Sequence, residues 1–569
     1  MSIGLQVRLN GTPIRGRIEG LDSFSVTYSR NESTGRTQKA FSNELTFYDD
    51  GFNLIFNQLV ASPTGLTKYI KVQIWDECCN DFIYQDLIIK GSMVKYCTGD
   101  CFVEATMIRQ DPDERIYDCF DRTPITTDLE NPDGSVNINH WLVSPNSTIA
   151  IPLIPYCNET KPAAIYWLIT SLGLGMILII TILNFLTLGS LKDFKDWFVS
   201  NVIGCGRKHP SAYLKDYINE AAIHCQCDQA TPFISSFLTN FNSVYYHTAL
   251  ISAPVKPGLR NPPRYIVENR PRQTITEFLD MVASDFNSLW WVENGRVYME
   301  RKDFFLTAPV LYDAIVNQKT GNILKGACFT YNEGTVYSAQ RFEATNDAIE
   351  DMGNLSLNVY GAYFDYIKIH NHPQGWEAWR GVLEKQQSYS PVRFRGERNP
   401  ESSIDAHPFR SVFSILSPNS YNATNWYATF SKDEFANHKY YACDNTSPDN
   451  EKRPIYGQRL LFEHAIGNNV SYLQVQPNAP FVIKVNPLLP NLTPNNIYTD
   501  FHAIDDPINN PWRFWDYELE VKMDCQLIKQ LTVNKSVRLQ TPYGATVQAK
   551  INTIVANYGE RIITITGEF

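Results

Sequence analysis

No run of like charge occurs anywhere in this chain, and charged residues make up only 19% of it. Lys and Arg number 50 against 60 Asp and Glu, a formal charge of −10. A general nucleic-acid binder carries a basic excess or a basic block, so no sequence-specific nucleic acid binding is expected. Catalytic signatures are missing too: there is no GxSxG, no HExxH, no P-loop and no GxGxxG after a strand. Carboxylates are plentiful, but no spacing places two of them together as a glycosidase needs. There is no repeat of fixed short period. The twelve cysteines form no repeated framework, and in a chain this long the expectation is buried thiols rather than disulfides. Arg8 and Asn10 stand where a signal peptide needs its apolar core, so the chain is expected to start in the cytosol.

What is present is material for cores. The 569 residues are 43% hydrophobic and 13% aromatic, enough for roughly four domains. The expected fold class is mainly β with α+β parts, multidomain. It comprises two small antiparallel β-barrels, a helix–hairpin domain and one long apolar helical segment. Residues 1–110 alternate in short runs with turn residues between them, starting at the Asn10-Gly11 hairpin signal, and predict an N-terminal barrel. Residues 111–160, rich in Pro, Asp, Asn and Ser, read as an extended connector. Mixed helical patterns follow at 196–270, an α+β unit at 271–340, an irregular β-rich insertion at 341–514, and strands of a second barrel at 515–569.

One segment breaks the soluble pattern. From 163 to 191 there is no charged residue, and ~20 apolar residues suffice for a helix to cross a bilayer. The 161–195 segment is therefore read as a plug or a membrane-inserting element. Its apolar surface is carried by Trp167, Leu168, Leu172, Ile177, Ile180, Leu183 and Phe185, with Gly173 and Gly175 as pliable points. Lys161 precedes it, whereas Lys192, Lys195, Arg207 and Lys208 follow. That bias places the following side in the cytosol and would require export of ~160 residues without a signal peptide. The bland reading is a long buried core helix.

The clearest local signal lies at 274–300. Thr274-Ile275-Thr276-Glu277 is a capping box. Ile275, Phe278, Leu279, Val282, Phe286 and Leu289 then fall on one helical face. Two alternating strands follow, joined at Asn294-Gly295, so that Trp290 and its neighbours can pack on the helix. This unit, TITEFLDMVASDFNSLWWVENGRVYMERKDF, resembles a signature of phage tail hub proteins, a family that also underlies the spikes of contractile injection systems. The stretch from Val7 to Ile108, with its step Ile89-Lys90-Gly91-Ser92-Met93, is similar to the first barrel of such hubs. The C-terminal SVRLQTPYGATVQAKINTIVANYGERIITITGEF is similar to their closing β domain. The resemblance implies a homotrimeric virion protein at the tail tip, made in the host cytoplasm. Its two barrels per chain would form a pseudo-sixfold ring. Its partners would be a tail tube or distal tail protein, a tape measure protein, tip, spike or fibre proteins and, on infection, the host membrane. The apolar run lies outside the family pattern.

Cys205, His209, His224, Cys225 and Cys227 offer enough N and S donors for a tetrahedral zinc site. The Cys-x-Cys spacing is unusual for zinc, and packed or exposed thiols are the plainer reading, so no cofactor is expected. Cys97 and Cys101 flank a turn and can face each other, though reduced thiols are favoured there. His370 and His372 make too few ligands for a metal site. Three functional readings follow: a tail hub, a membrane-anchored single-pass protein with large soluble domains on both sides, and a tail-borne cell-wall hydrolase. The first is preferred, and enzyme is the minority reading.

Overall fold

The computed structural model describes residues 4–41, 44–96, 99–110, 112–125, 150–158, 273–331, 339–344, 498–505 and 515–569, most of 207–251, and eight short strands between 365 and 483. The chain is mainly β. The N-terminal unit has a five-stranded sheet in the order Ile108–Arg109, Asp81–Lys90, Tyr69–Asp76, Leu5–Leu9, Thr12–Pro13. A four-stranded sheet, Ile18–Glu19, Glu44–Phe47, Val103–Thr106 and Val94–Tyr96, packs with it. Alternation drives both: Val7, Leu9, Ile70, Val72, Ile74, Leu45, Phe47, Val103 and Ala105 all point into one core. Asn10 and Gly11 both take positive φ, as a tight two-residue hairpin turn demands. The expected small barrel is instead two separate open sheets around one core.

The strands at 515–569 do not stand alone. Trp515–Lys522, Ile562–Glu568, Thr546–Asn557 and Ser536–Gln540 lie in one sheet, flanked by Ile323–Tyr331 on one edge and Val310–Asp313 on the other. Thr546–Asn557 is long and shifts register between Ile551 and Thr553. Its first half pairs with Ser536–Gln540, and its second half pairs with Ser25–Arg30 of the N-terminal unit. Strands at 25–41 therefore belong to the C-terminal sheet, which corrects the reading of 1–110 as self-contained. Phe24, Val26 and Phe41 share one hydrophobic core with Ile554, Ala556 and Tyr558. That core also holds the residues of both N-terminal sheets.

A second core forms around the helix Ile275–Asp285. Its capping box closes in both directions: Glu277 N–H donates to Thr274 Oγ1 at 3.2 Å, and Thr274 N–H to Glu277 Oε2 at 2.8 Å. Ile275, Phe278, Leu279, Val282 and Phe286 are buried together with Trp290, Val292, Val297 and Met299 of the hairpin. Leu289, read from sequence as the end of the helical face, lies in the strand Ser288–Glu293. It packs on the opposite side with Trp291, Phe305 and Ala308. Gly35 permits this packing: its φ is +85°, and a Cβ there would meet Leu289 Cβ at 2.4 Å.

The connector reading of 111–160 also changes. Pro112–Arg122 is a helix, with Pro112 in its first turn and Asp113 and Glu114 complementing the helix dipole. Ile116, Tyr117 and Phe120 bury against helix Ile275–Asp285 and helix Leu214–His224. Further on, Ala150–Asn158 lies between Trp426–Phe430 and Val470–Gln474, and also pairs with Arg207–Pro210. The 341–514 region thus shares its sheets with the residues before it.

Candidate functional site

Among the described residues, polar side chains join the units at several points. At the turn after Tyr69–Asp76, the fully buried Asp76 accepts main-chain N–H bonds from Cys78 and Cys79 at 2.9 and 3.3 Å. Its second oxygen takes Arg561 Nη1 at 2.6 Å. Arg561 has a φ of +59°, in the turn between the last two strands. Next to this pair, Cys79 is bridged to Cys525, and Lys529 Nζ lies 2.5 Å from Asp81 Oδ2. The proximity of Lys529 holds the Asp81 carboxyl below its ordinary value. One hairpin tip of the N-terminal unit is thereby fastened to the C-terminal sheet by a bridge and two ion pairs.

Arg30 fastens a different point. Its guanidinium donates to the carbonyl of Val533 and, at 2.9 Å, to Asn534 Oδ1. The rings of Phe305 and Trp291 lie 4.2 and 5.3 Å from it. Burial pushes its pKa down to about 9, against the pull of Tyr117, Glu293 and Glu568. The cation thus sits where the N-terminal strands, the helix–hairpin unit and the C-terminal sheet meet. On the neighbouring face, Arg36 grips Asp121 with both nitrogens at 3.1 and 3.0 Å. The Asp113 carboxylate accepts from the N–H groups of Asn294 and Gly295 at 3.2 and 2.8 Å. Tyr117 Oη accepts from Val292 N–H at 2.8 Å. These groups clamp the hairpin turn and helix Pro112–Arg122 to one another.

A cavity of about 350 Å³ lies beside the end of helix Ile275–Asp285, lined by Glu32, Asp285, Asn287, Ser288, Lys302 and His502 among others. Of its serines, Ser288 donates its Oγ–H to the Ala283 carbonyl at 3.3 Å, and Ser33 donates to Asn31 Oδ1 at 2.6 Å. His502 Nε2 faces the Asp285 carbonyl at 3.4 Å. This is hydrogen bonding that holds the chain, in a lining that carries two carboxylates, Glu32 and Asp285, and two lysines, Lys302 and Lys385.

The residues singled out from sequence fall as follows. Trp167, Leu168, Leu172, Gly173, Gly175, Ile177, Ile180, Leu183 and Phe185 lie outside the described residues. Among the described residues, no helix is long and apolar enough to cross a membrane. Of the zinc set, Cys205 lies outside them as well, and His209 stands opposite Ile154 in a strand pair. His224 ends helix Leu214–His224, Cys227 is buried, and Cys225 is bridged to Cys119. A bridged sulfur is no thiolate ligand, so the set loses a member in this state. Among the described residues no three His, Cys, Asp or Glu side chains are placed to hold a metal ion. Cys97, His370 and His372 lie outside the described residues, and Cys101 is an exposed thiol. Among the described residues two bridges, spanning 446 and 106 residues of sequence, correct the expectation of reduced thiols for Cys79, Cys525, Cys119 and Cys225, while Cys78, Cys101, Cys227 and Cys328 are thiols. No local spacing pointed to either pair.

No family model matches the chain, and no curated protein matches it. Among solved structures it is similar to the 43 kDa tail protein of prophage MuSo2 from Shewanella oneidensis, at 9% identity and a TM-score of 0.35, over 99% of this chain and 97% of that one. It is also similar to a tail protein from Neisseria meningitidis MC58, at 7% identity and a TM-score of 0.34, over 99% and 96% of the two chains. A third likeness is to prophage tail protein gp18 from Listeria monocytogenes EGD-e, at 7% identity and a TM-score of 0.33, over 99% and 94%.

Proposed function

We propose that this chain is a structural tail hub of a phage or phage-like injection machine, placed at the tail tip. The observation that carries this reading is the union of the two ends of the chain. Strands Ser25–Arg30 and Thr546–Asn557 pair, and the β units at either end fill one core, with the capped helix–hairpin unit fastened beside them through Trp290 N–H to the Thr34 carbonyl and Thr532 to Glu293. Three copies around an axis would present six similar β units to a sixfold tube, while keeping threefold symmetry toward a spike or fibres. The work of such a protein is geometric: it adapts symmetry, closes the lumen and opens it on infection. Its partners would be its own copies, a tail tube or distal tail protein, a tape measure protein and the tip or fibre proteins.

On this reading the 163–191 runs of three copies meet near the axis, close the lumen at rest and enter the host membrane on opening. The single-span alternative is disfavoured by what surrounds the run. Ile116, Tyr117 and Phe120, before it, share a core with Tyr217 and Phe278, after it. Tyr156 and Arg207 are opposed in one strand pair, so the chain leaves and returns at one place. Folded domains on opposite faces of a bilayer do not fit that arrangement. A low-resolution image of the assembly tests the hub reading. Density for 163–191 on the axis is expected, and density on the outer periphery would end the lumen-closing role. Leakage of liposomes by the triggered particle tests membrane entry separately.

A further inference from the structure

The hairpin tip that meets the C-terminal sheet carries two adjacent cysteines. Cys79 is bridged to Cys525, and Cys78 is an exposed thiol one residue away. Cys525 Sγ lies 3.9 Å from the carbonyl oxygen of Cys78, so the bridge rests against the main chain of the neighbouring cysteine. Arg561 Nη2 stands 3.8 Å from Cys79 Sγ, oriented by the bond of its other nitrogen to buried Asp76. A fixed positive charge beside a sulfur stabilises its thiolate and makes it the better leaving group in exchange.

We infer that Cys78, Cys79 and Cys525 form a thiol–disulfide exchange site in which the bridge between the two units alternates between neighbouring cysteines. Cys78 gives its proton to water, and its thiolate attacks Cys525 Sγ. A Cys78–Cys525 bond forms as the Cys79–Cys525 bond breaks. Cys79 leaves as a thiolate beside Arg561 and takes a proton back from water. Nothing is oxidised or reduced overall, so no outside oxidant or reductant takes part. The tip moves by no more than one residue, ~3.8 Å between consecutive Cα atoms. The N-terminal and C-terminal units stay covalently joined in both states, while their register at the joint shifts.

The test uses the full-length protein with its bridges intact. It is incubated at pH 8, quenched in acid and alkylated after denaturation, and fragment masses then separate label on Cys78 from label on Cys79. Label on both residues is expected, with the Cys79 share growing tens of times faster at pH 8 than at pH 6, because the attacker is the thiolate, a species that rises close to tenfold per pH unit below a thiol's pKa. Growth independent of protein concentration marks the exchange as intramolecular. Cys79→Ser is expected to bridge Cys78 to Cys525, protecting Cys525 from alkylation. Label confined to Cys78 in the wild-type protein after prolonged incubation would overturn the inference, whatever the variant shows.

Discussion

Phe278 and Phe286 have no exposed surface, and their rings pack among Tyr217, Phe237, Tyr245 and Phe501. Truncating Phe278 to Ala removes that contact and leaves a cavity, so equilibrium denaturation should show a loss of ~3–5 kcal/mol. A near-neutral result would mean the helical face is not a core. These residues were legible in the sequence, because the capping box fixes where the helix starts and the 3.6-residue period then fixes its apolar face. Glu300 was not legible. It lies on a strand whose alternation hides that its carboxylate is buried, accepting Ser236 N–H with both oxygens at 3.0 Å. Burial raises its pKa above the ordinary 4.5. A raised carboxyl favours folding fully below its unfolded pKa and loses that contribution as pH rises through the folded value. Wild-type stability relative to Glu300→Gln should therefore improve as pH falls from 7 to below 4.5, measured by denaturant midpoints. A trend in the other direction would refute the burial argument.

At the scale of elements, the joint between the Tyr69–Asp76/Asp81–Lys90 hairpin and the last hairpin rests on Asp76 and Arg561. Removing the cation by Arg561→Ala strands a fully buried carboxylate. The cost should be about 3 kcal/mol, at the lower end for buried pairs because two main-chain N–H bonds to Asp76 remain. Amide exchange should then report loss of protection at 76–82 and 523–529 together; protection lost on one side only would mean the units do not support each other there. The individual strands of both units were legible from alternation. Their partners were not: Ser25–Arg30 alternates like its neighbours, and period-two patterning gives a strand its faces but not its pairing edge. Helix Pro112–Arg122 was missed for a related reason. Pro112 and its acidic neighbours were read as loop, whereas Pro in a first turn followed by Asp and Glu is also how a helix begins.

At the scale of the whole molecule, the two ends of a 569-residue chain meet in one sheet and one core. Motif order along the sequence points to two β units around a helix–hairpin, but their fusion is the pairing of Ser25–Arg30 with the second half of Thr546–Asn557, which no local pattern announces. The apolar run is plain in the sequence and lies outside the described residues, and its two flanks reach the opposed pair Tyr156 and Arg207. The central claim is that such units assemble as a threefold hub with a sixfold-compatible face. The mass of the purified chain in solution, by light scattering on a sizing column, tests it most directly. A species of three 65.0 kDa chains is expected; a monomer at micromolar concentration, or a closed dimer, would refute the threefold hub.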